Sequence, residues 1–214
     1  VATTVVVTSK GREVIAGRMT GAATEPSKMG WGTGGIAGGP FTAATTDVAP
    51  FSEASEARVT GTSSIATTTT TNDSYQVIGT ITSGSTQTIA EVFLSDSATK
   101  PFSTTVAAGG VVGSSSATTL NTAASYTPAN NTSVQIRTEV MTVTAGTGTT
   151  ALTVTRGANG SAAIATIAVA DQATMGNAPG TATANGTLYL HASFTGLALN
   201  NGDSLQSTVT VKHS

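Results

Sequence analysis

Apolar positions along this chain recur at every second residue, in short runs broken by turn-forming residues. That is the period of a half-buried strand, and no segment sustains a helical period. Thr3 to Ser9 (TTVVVTS) is a continuous β-branched run, and GREVIAGRMTG follows it through a Lys10-Gly11 turn. Glu56 to Thr71 reads as one long Thr-rich strand, which Asn72-Asp73-Ser74 turns into Tyr75–Thr82. There Tyr75, Val77, Gly79 and Ile81 share one face. In the next strand Thr88, Ala90, Val92 and Leu94 alternate with Ile89, Glu91 and Phe93. Both faces are apolar around Glu91, which predicts a partly buried carboxylate.

The character shifts after Asp96. Ala107 to Asn131 is linker-like at both ends. Val134, Ile136, Thr138, Val140 and Thr142 then face one way, with Gln135, Arg137, Glu139, Met141 and Val143 facing the other. AGTGTT is a hairpin loop from which ALTVTR returns. Gly157-Ala158-Asn159-Gly160 is a turn, Ile164–Ala170 a short strand, and Gly176 to Gly186 a second linker. Thr187–Phe194, the turn Asn200–Asp203 and SLQSTVTVKH close the chain. The expectation is an all-β fold. Residues 1–97 plus 185–214 would form a discontinuous β-sandwich or barrel-like antiparallel domain. Residues 98–184 would form a small β module inserted between Gly/Ala/Ser linkers, with its termini close together.

Composition agrees with strands. Thr makes up about a fifth of the 214 residues, and Thr and Val suit a pleated surface. Charged residues are only 9% of the chain, against roughly 25% in an average globular protein. The net charge of -2 argues against a nucleic-acid partner, which needs a basic patch. No apolar run approaches the ~20 residues that span a bilayer, so no membrane partner is expected either. The absence of Cys excludes disulfides, thiolate zinc sites and cysteine nucleophiles.

One stretch tempts a chemical reading. Gly32-Thr33-Gly34-Gly35-Ile36-Ala37 fits G-x-G-x-x-A, the relaxed form of a dinucleotide-binding turn. Such a turn needs a buried strand before it and a helix after it. EPSKMGW offers no Val/Ile run, and Pro40 and Pro50 bracket a segment with no helical period. The stretch therefore reads as a surface loop anchored by Trp31, which plugs the core or an interface. His191 shares its face with Tyr189 and Ser193, expected to be the wetter one, and reads as a surface or interface residue. Glu53 and Glu56 near Asp47 read as a solvated loop. Arg58 and Glu91 both lie in apolar strands, so they are expected to pair with each other inside the sheet or at a subunit contact. No catalytic, cofactor or metal site is expected: there is no G-x-S-x-G, H-E-x-x-H, Walker or EF-hand pattern.

Edges supply a functional argument. Soluble β proteins guard edge strands with Lys, Glu or Pro, and this chain has little charge for that. Unless its edges close on themselves, Thr3–Thr8 (with Val5, Val6 and Val7 as candidate interface residues) or Thr69–Thr71 would seek a partner. Thr3–Thr8 is the expected assembly arm. Low charge also suits surface that is buried on assembly.

Several motifs come in a telling order: AGRMTG, EPSKMGWGTG, EASEARVTGTSS, TNDSYQVIGTIT, TIAEVFLSD, GTLYLHASF and LNNGDSLQSTVTVK. They resemble a family of small structural proteins of tailed bacteriophages and prophages, of the head-decoration or tail-fibre type. The resemblance covers roughly Arg12–Asp96 and Asn185–Lys212. TEVMTVTAGTGTTALTVTRGANGSAA (Thr138–Ala163) resembles a second phage virion module with an LTVTRG return. Two departures stand out. Phe93 occupies a position where that family carries glycine, and no His follows the Ala run of the module. The resemblance implies a virion structural protein without enzymatic activity, most simply a capsid decoration or cement protein binding across capsomers. Its partners would be the major capsid protein or other virion subunits, and it would be a homo-oligomer on the particle surface. A tail fibre or tail-associated protein is the alternative within the virion. A secreted β adhesin or carbohydrate-binding module is the alternative outside it.

Overall fold

The computed structural model describes residues 3–35, 41–109, 116–177 and 186–212. Its fold is all-β, with three antiparallel sheets and one α-helix among the described residues. The first sheet contains β1 (Thr3–Val7), β2 (Lys28–Gly32), β3 (Val59–Thr60), β6 (Gln87–Ser95) and β13 (Leu188–Leu199). Their spatial order is β1-β13-β6-β2-β3. The second sheet is β14-β5-β4, from β4 (Thr62–Ala66), β5 (Ser74–Thr82) and β14 (Ser204–Lys212). The two share one core, in which Val77 and Ile81 of β5 meet Met29, Trp31, Ile89 and Leu94 of the larger sheet. Phe93, on the opposite face of β6 from Val92 and Leu94, is also fully buried, and Gly30 must be glycine beside it: a Cβ there would sit 2.3 Å from the Phe93 ring.

The third sheet has six strands: β7 (Ser103–Thr105), β8 (Thr119–Asn121), β9 (Ser133–Ile136), β10 (Glu139–Ala145), β11 (Ala151–Thr155) and β12 (Gln172–Gly176). Their order is β7-β12-β9-β10-β11-β8. The two outer strands then meet. Val106 bridges Thr122, Ala107 N donates to Asn121 O at 2.9 Å, and Ala123 N donates to Thr105 O at 2.8 Å. The sheet thus curls into a small barrel around Leu120, Tyr126, Val134, Ile136, Met141 and Leu152. Closure is what removes edges from a β protein.

Several local expectations need correction. GREVIAGRMTG is not a strand: α1 spans Ser9–Met19. Thr8 caps it, its hydroxyl accepting from Gly11 N at 2.9 Å. Gly11 lets the helix lie directly on β13, since a Cβ there would stand 2.2 Å from Tyr189 O. Only Lys10, Gly11 and Val14 of this helix are buried, which is too few to print a helical period. The Ser133–Val143 stretch is two strands, because Arg137 (φ 52°) and Thr138 form a two-residue turn that folds β10 back onto β9. Glu56–Thr71 is two short strands. Thr69–Thr71 belong to a turn in which Asp73 accepts from the amides of Thr68, Thr69 and Thr70. Ile164–Ala170 is irregular, and the strand there is Gln172–Gly176.

Candidate functional site

The densest polar cluster lies where the sandwich meets the barrel. Its centre is His191 on β13, fully buried. Its Nδ1 lies 2.8 Å from Asp47 Oδ2 and its Nε2 lies 2.8 Å from Glu91 Oε2. The Phe51 ring packs on the imidazole with centroids 4.6 Å apart. Burial alone lowers the His191 pKa. The hydrogen bonds and charges of Asp47 and Glu91 outweigh it and raise the value to about 9. An imidazolium with both N–H groups donating is the species this geometry holds.

Each carboxylate is held in turn by donors. Glu91, on β6 and itself fully buried, accepts from Ser52 N (2.7 Å), Phe51 N (2.9 Å) and Gly34 N (3.3 Å). Asp47 accepts from Ala44 N at 2.8 Å and from the Gln135 amide at 2.9 Å. Gln135 belongs to β9 of the barrel. Its Oε1 accepts from Val48 N (2.7 Å) and Ala49 N (2.9 Å). The loop 41–58 is therefore pinned on one side to the sandwich and on the other to the barrel. Carboxylate–imidazole pairs also occur in catalytic triads. Here both ring nitrogens are occupied and no atom of His191 reaches solvent, so the arrangement locks a junction and offers a substrate nothing.

This cluster answers the question raised by the glycines. A strand, β2, does precede the G-x-G-x-x-A stretch, but residues 41–58 that follow contain no helix. Ile36–Pro40 lie outside the described residues. Gly34 aims its amide at an anion, and that anion is the Glu91 side chain. Gly32 is required beside it, because a Cβ would sit 2.2 Å from both Glu91 Oε1 and Ser52 O. His191 is thus not on a wet face, and Asp47 is not in a solvated loop.

The expected Arg58–Glu91 pair is not formed. Arg58 makes a two-pronged ion pair with Glu53, Nε to Oε1 and Nη2 to Oε2 each at 2.8 Å. It also donates to Ser95 Oγ and Ser97 O, and its guanidinium lies 5.1 Å from the Phe93 ring centroid. Glu53 and Glu56 are not solvated either. The Glu53 side chain is almost wholly buried against Arg58. Glu56 accepts from Trp31 Nε1 at 3.1 Å, Gly84 N and Gln87 Nε2. Desolvation alone would raise its pKa, but these donors prevail and hold it below the usual carboxylate range. Trp31 is buried in the sandwich core. In the barrel, Arg156 forks onto Glu139 at 2.6 and 2.7 Å, and Glu139 also accepts from Gly157 N and Ile164 N. That pair explains the LTVTRG return in physical terms.

The surface is the complement of these pairs. Among the charged side chains, only Arg12, Glu13, Arg18, Asp203 and Lys212 are exposed, and none of these lies on the barrel. Val5 is 55% exposed, while Val6 and Val7 are half-buried. Their strand is docked on β13 through the register Thr3↔Phe194 to Val7↔Leu190, so Thr3–Val7 is an edge strand of its own sheet, not an extended arm. No helix is long and apolar enough to cross a membrane among the described residues.

Sequence reasoning missed His191, Asp47, Gln135 and the Glu139–Arg156 pair. A lone His inside the apolar run TLYLHASF, and one Glu and one Arg on the two arms of a hairpin, were the available signals. Comparison with protein-family models, with curated proteins and with solved structures finds no match to this chain.

Proposed function

We propose that this protein is a structural subunit of a tailed-phage virion that decorates or cements the capsid by binding across capsomers, with no catalytic activity. The observation that carries this reading is where the charge goes. The chain has few charges, leaves only five of the charged side chains exposed, and buries others in pairs, Arg58 with Glu53, Arg156 with Glu139, and Asp47 and Glu91 with His191, so its surface is largely Thr/Ser/Asn with open sheet edges. Such a surface is inexpensive to desolvate, because interface cores are depleted in charge. Open edges offer main-chain pairing to a neighbouring subunit. The major capsid protein is the proposed partner. The buried ionic locks would hold sandwich and barrel as one block, as a part that bridges subunits under internal pressure requires.

Quantitative stoichiometry of purified particles tests the reading. A cement protein is expected in hundreds of copies that co-sediment with heads. A handful of copies on tails would favour the tail-associated alternative, for which the closed barrel would be the projecting part. Absence from particles, together with glycan binding by the isolated chain, would overturn the virion reading.

A further inference from the structure

β14 runs nine residues along the outside of the three-stranded sheet, and among the described residues only β5 pairs with it. Asp203 O accepts from Ser83 N at 2.8 Å, and the register continues unbroken from Ser204↔Thr82 to Lys212↔Ser74. In an antiparallel ladder the N–H and C=O of one residue point to the same side, alternating along the strand. Leu205, Ser207, Val209 and Val211 therefore direct theirs to β5. Ser204, Gln206, Thr208, Thr210 and Lys212 direct theirs outward, and these same five side chains are exposed. Natural edges are blunted by short length, proline, bulges or central charges. This one has no proline and no bulge, and its only charge, Lys212, stands at the end.

We infer that β14 pairs antiparallel with β14 of a second copy, about a two-fold axis through Thr208. Thr208 then faces its twin, Gln206 faces Thr210, and Ser204 faces Lys212. This register uses the outward-pointing backbone groups on both strands. It keeps Leu205, Val209 and Val211 on the core side, where they already pack. It also joins two three-stranded sheets into one of six strands. Charge selects the orientation. Asp203 and Lys212 flank the strand at opposite ends and are both exposed. The two-fold arrangement sets the Lys212 end of each strand against the Asp203 end of the other, the two side chains on opposite faces of the ribbon but the end charges opposite in sign. A parallel arrangement would bring like charges together, which is destabilising. A two-fold contact closes on itself, so it makes a dimer and not a filament. The other edge strands of these two sheets are shorter, β1 and β4 with five residues each and β3 with two, and none carries a charge to select a register. The dimer requires no particle, so this inference stands apart from the virion reading.

Sedimentation of the purified full chain over a concentration series tests it. A dimer that dissociates on dilution is expected. Thr208→Pro removes an N–H that bonds nothing within the chain, and is expected to halve the sedimenting mass with the far-UV circular dichroism unchanged. The chain has no Cys, so Thr208→Cys places a single thiol on the axis. Its twin would lie at a Cα separation of about 5.5 Å, within disulfide reach. Mild oxidation is expected to give a covalent dimer from Thr208→Cys and none from Val5→Cys. If Thr208→Pro unfolds the chain, the two cysteine variants still decide. A wild-type chain that stays monomeric at every concentration overturns the inference, as does cross-linking through Val5→Cys in preference to Thr208→Cys.

Discussion

Raising the pH should unlock the junction at His191 well below the range where lysines titrate. The folded protein holds the imidazolium with a pKa of about 9, against an ordinary 6.5. Because the folded value is the higher one, the contribution is complete below pH 6.5, where folded and unfolded chains both carry the proton. Between 6.5 and 9 only the folded chain carries it, and stability falls by about 1.4 kcal/mol per pH unit. Above about 9 both states are neutral and the loss is complete, roughly 3 kcal/mol in all. For a protein of this size that corresponds to a fall in melting temperature of roughly 10 °C. The assay is urea unfolding from pH 5.5 to 9.5, followed by the fluorescence of Trp31, the only tryptophan. A His213→Gln background removes the other histidine. The scan ends below the tyrosine range, where buried Tyr126 and Tyr189, both with raised pKa values, would add their own slope. His191→Leu should, by facing two buried carboxylates with nothing, cost about 3–5 kcal/mol at pH 6. Stability that is flat or rising across this window would refute the account.

Other substitutions probe the remaining locks. Arg156→Met strands Glu139 inside the barrel and should cost about 3–5 kcal/mol in chemical denaturation. Arg58→Met should cost a comparable amount by stranding Glu53, whereas pairing with Glu91 would have predicted a change in the His191 titration instead. Gly32→Ala drives a methyl into Glu91 and Ser52, so a loss of about 1–3 kcal/mol is expected in thermal unfolding, with the pH slope of His191 weakened. Trp31→Ala empties part of the sandwich core and frees Glu56, for a loss of about 3–5 kcal/mol by urea titration. Adding NAD should leave the melting temperature of the wild type unchanged.

The strand content was legible because its signals are local: the β-branched run TTVVV, the alternation in SYQVIGTIT and ALTVT, and the two apolar faces of QTIAEVFLS each declare a pleated ribbon without reference to anything else. The turns at Asn200–Asp203 and Gly157–Gly160 were legible for the same reason. The helix at Ser9–Met19 was not, because beyond its local Thr8 cap its stability comes from β13 lying against Gly11, a contact with Tyr189 some 180 positions away. The partners of the charges were not legible either. Alternation showed that Glu91 had to be inside, but not that His191, the loop amides and Gly34 would meet it there. Glu91 and Arg58 looked like natural partners on the single criterion available, apolar surroundings. Their real partners, His191 and Glu53, were set by which strands became neighbours. Strand order, barrel closure at Val106–Thr122 and the loop that carries Asp47 between two sheets are long-range properties. Periodicity says which face of a strand is buried, and only the tertiary structure decides what it is buried against.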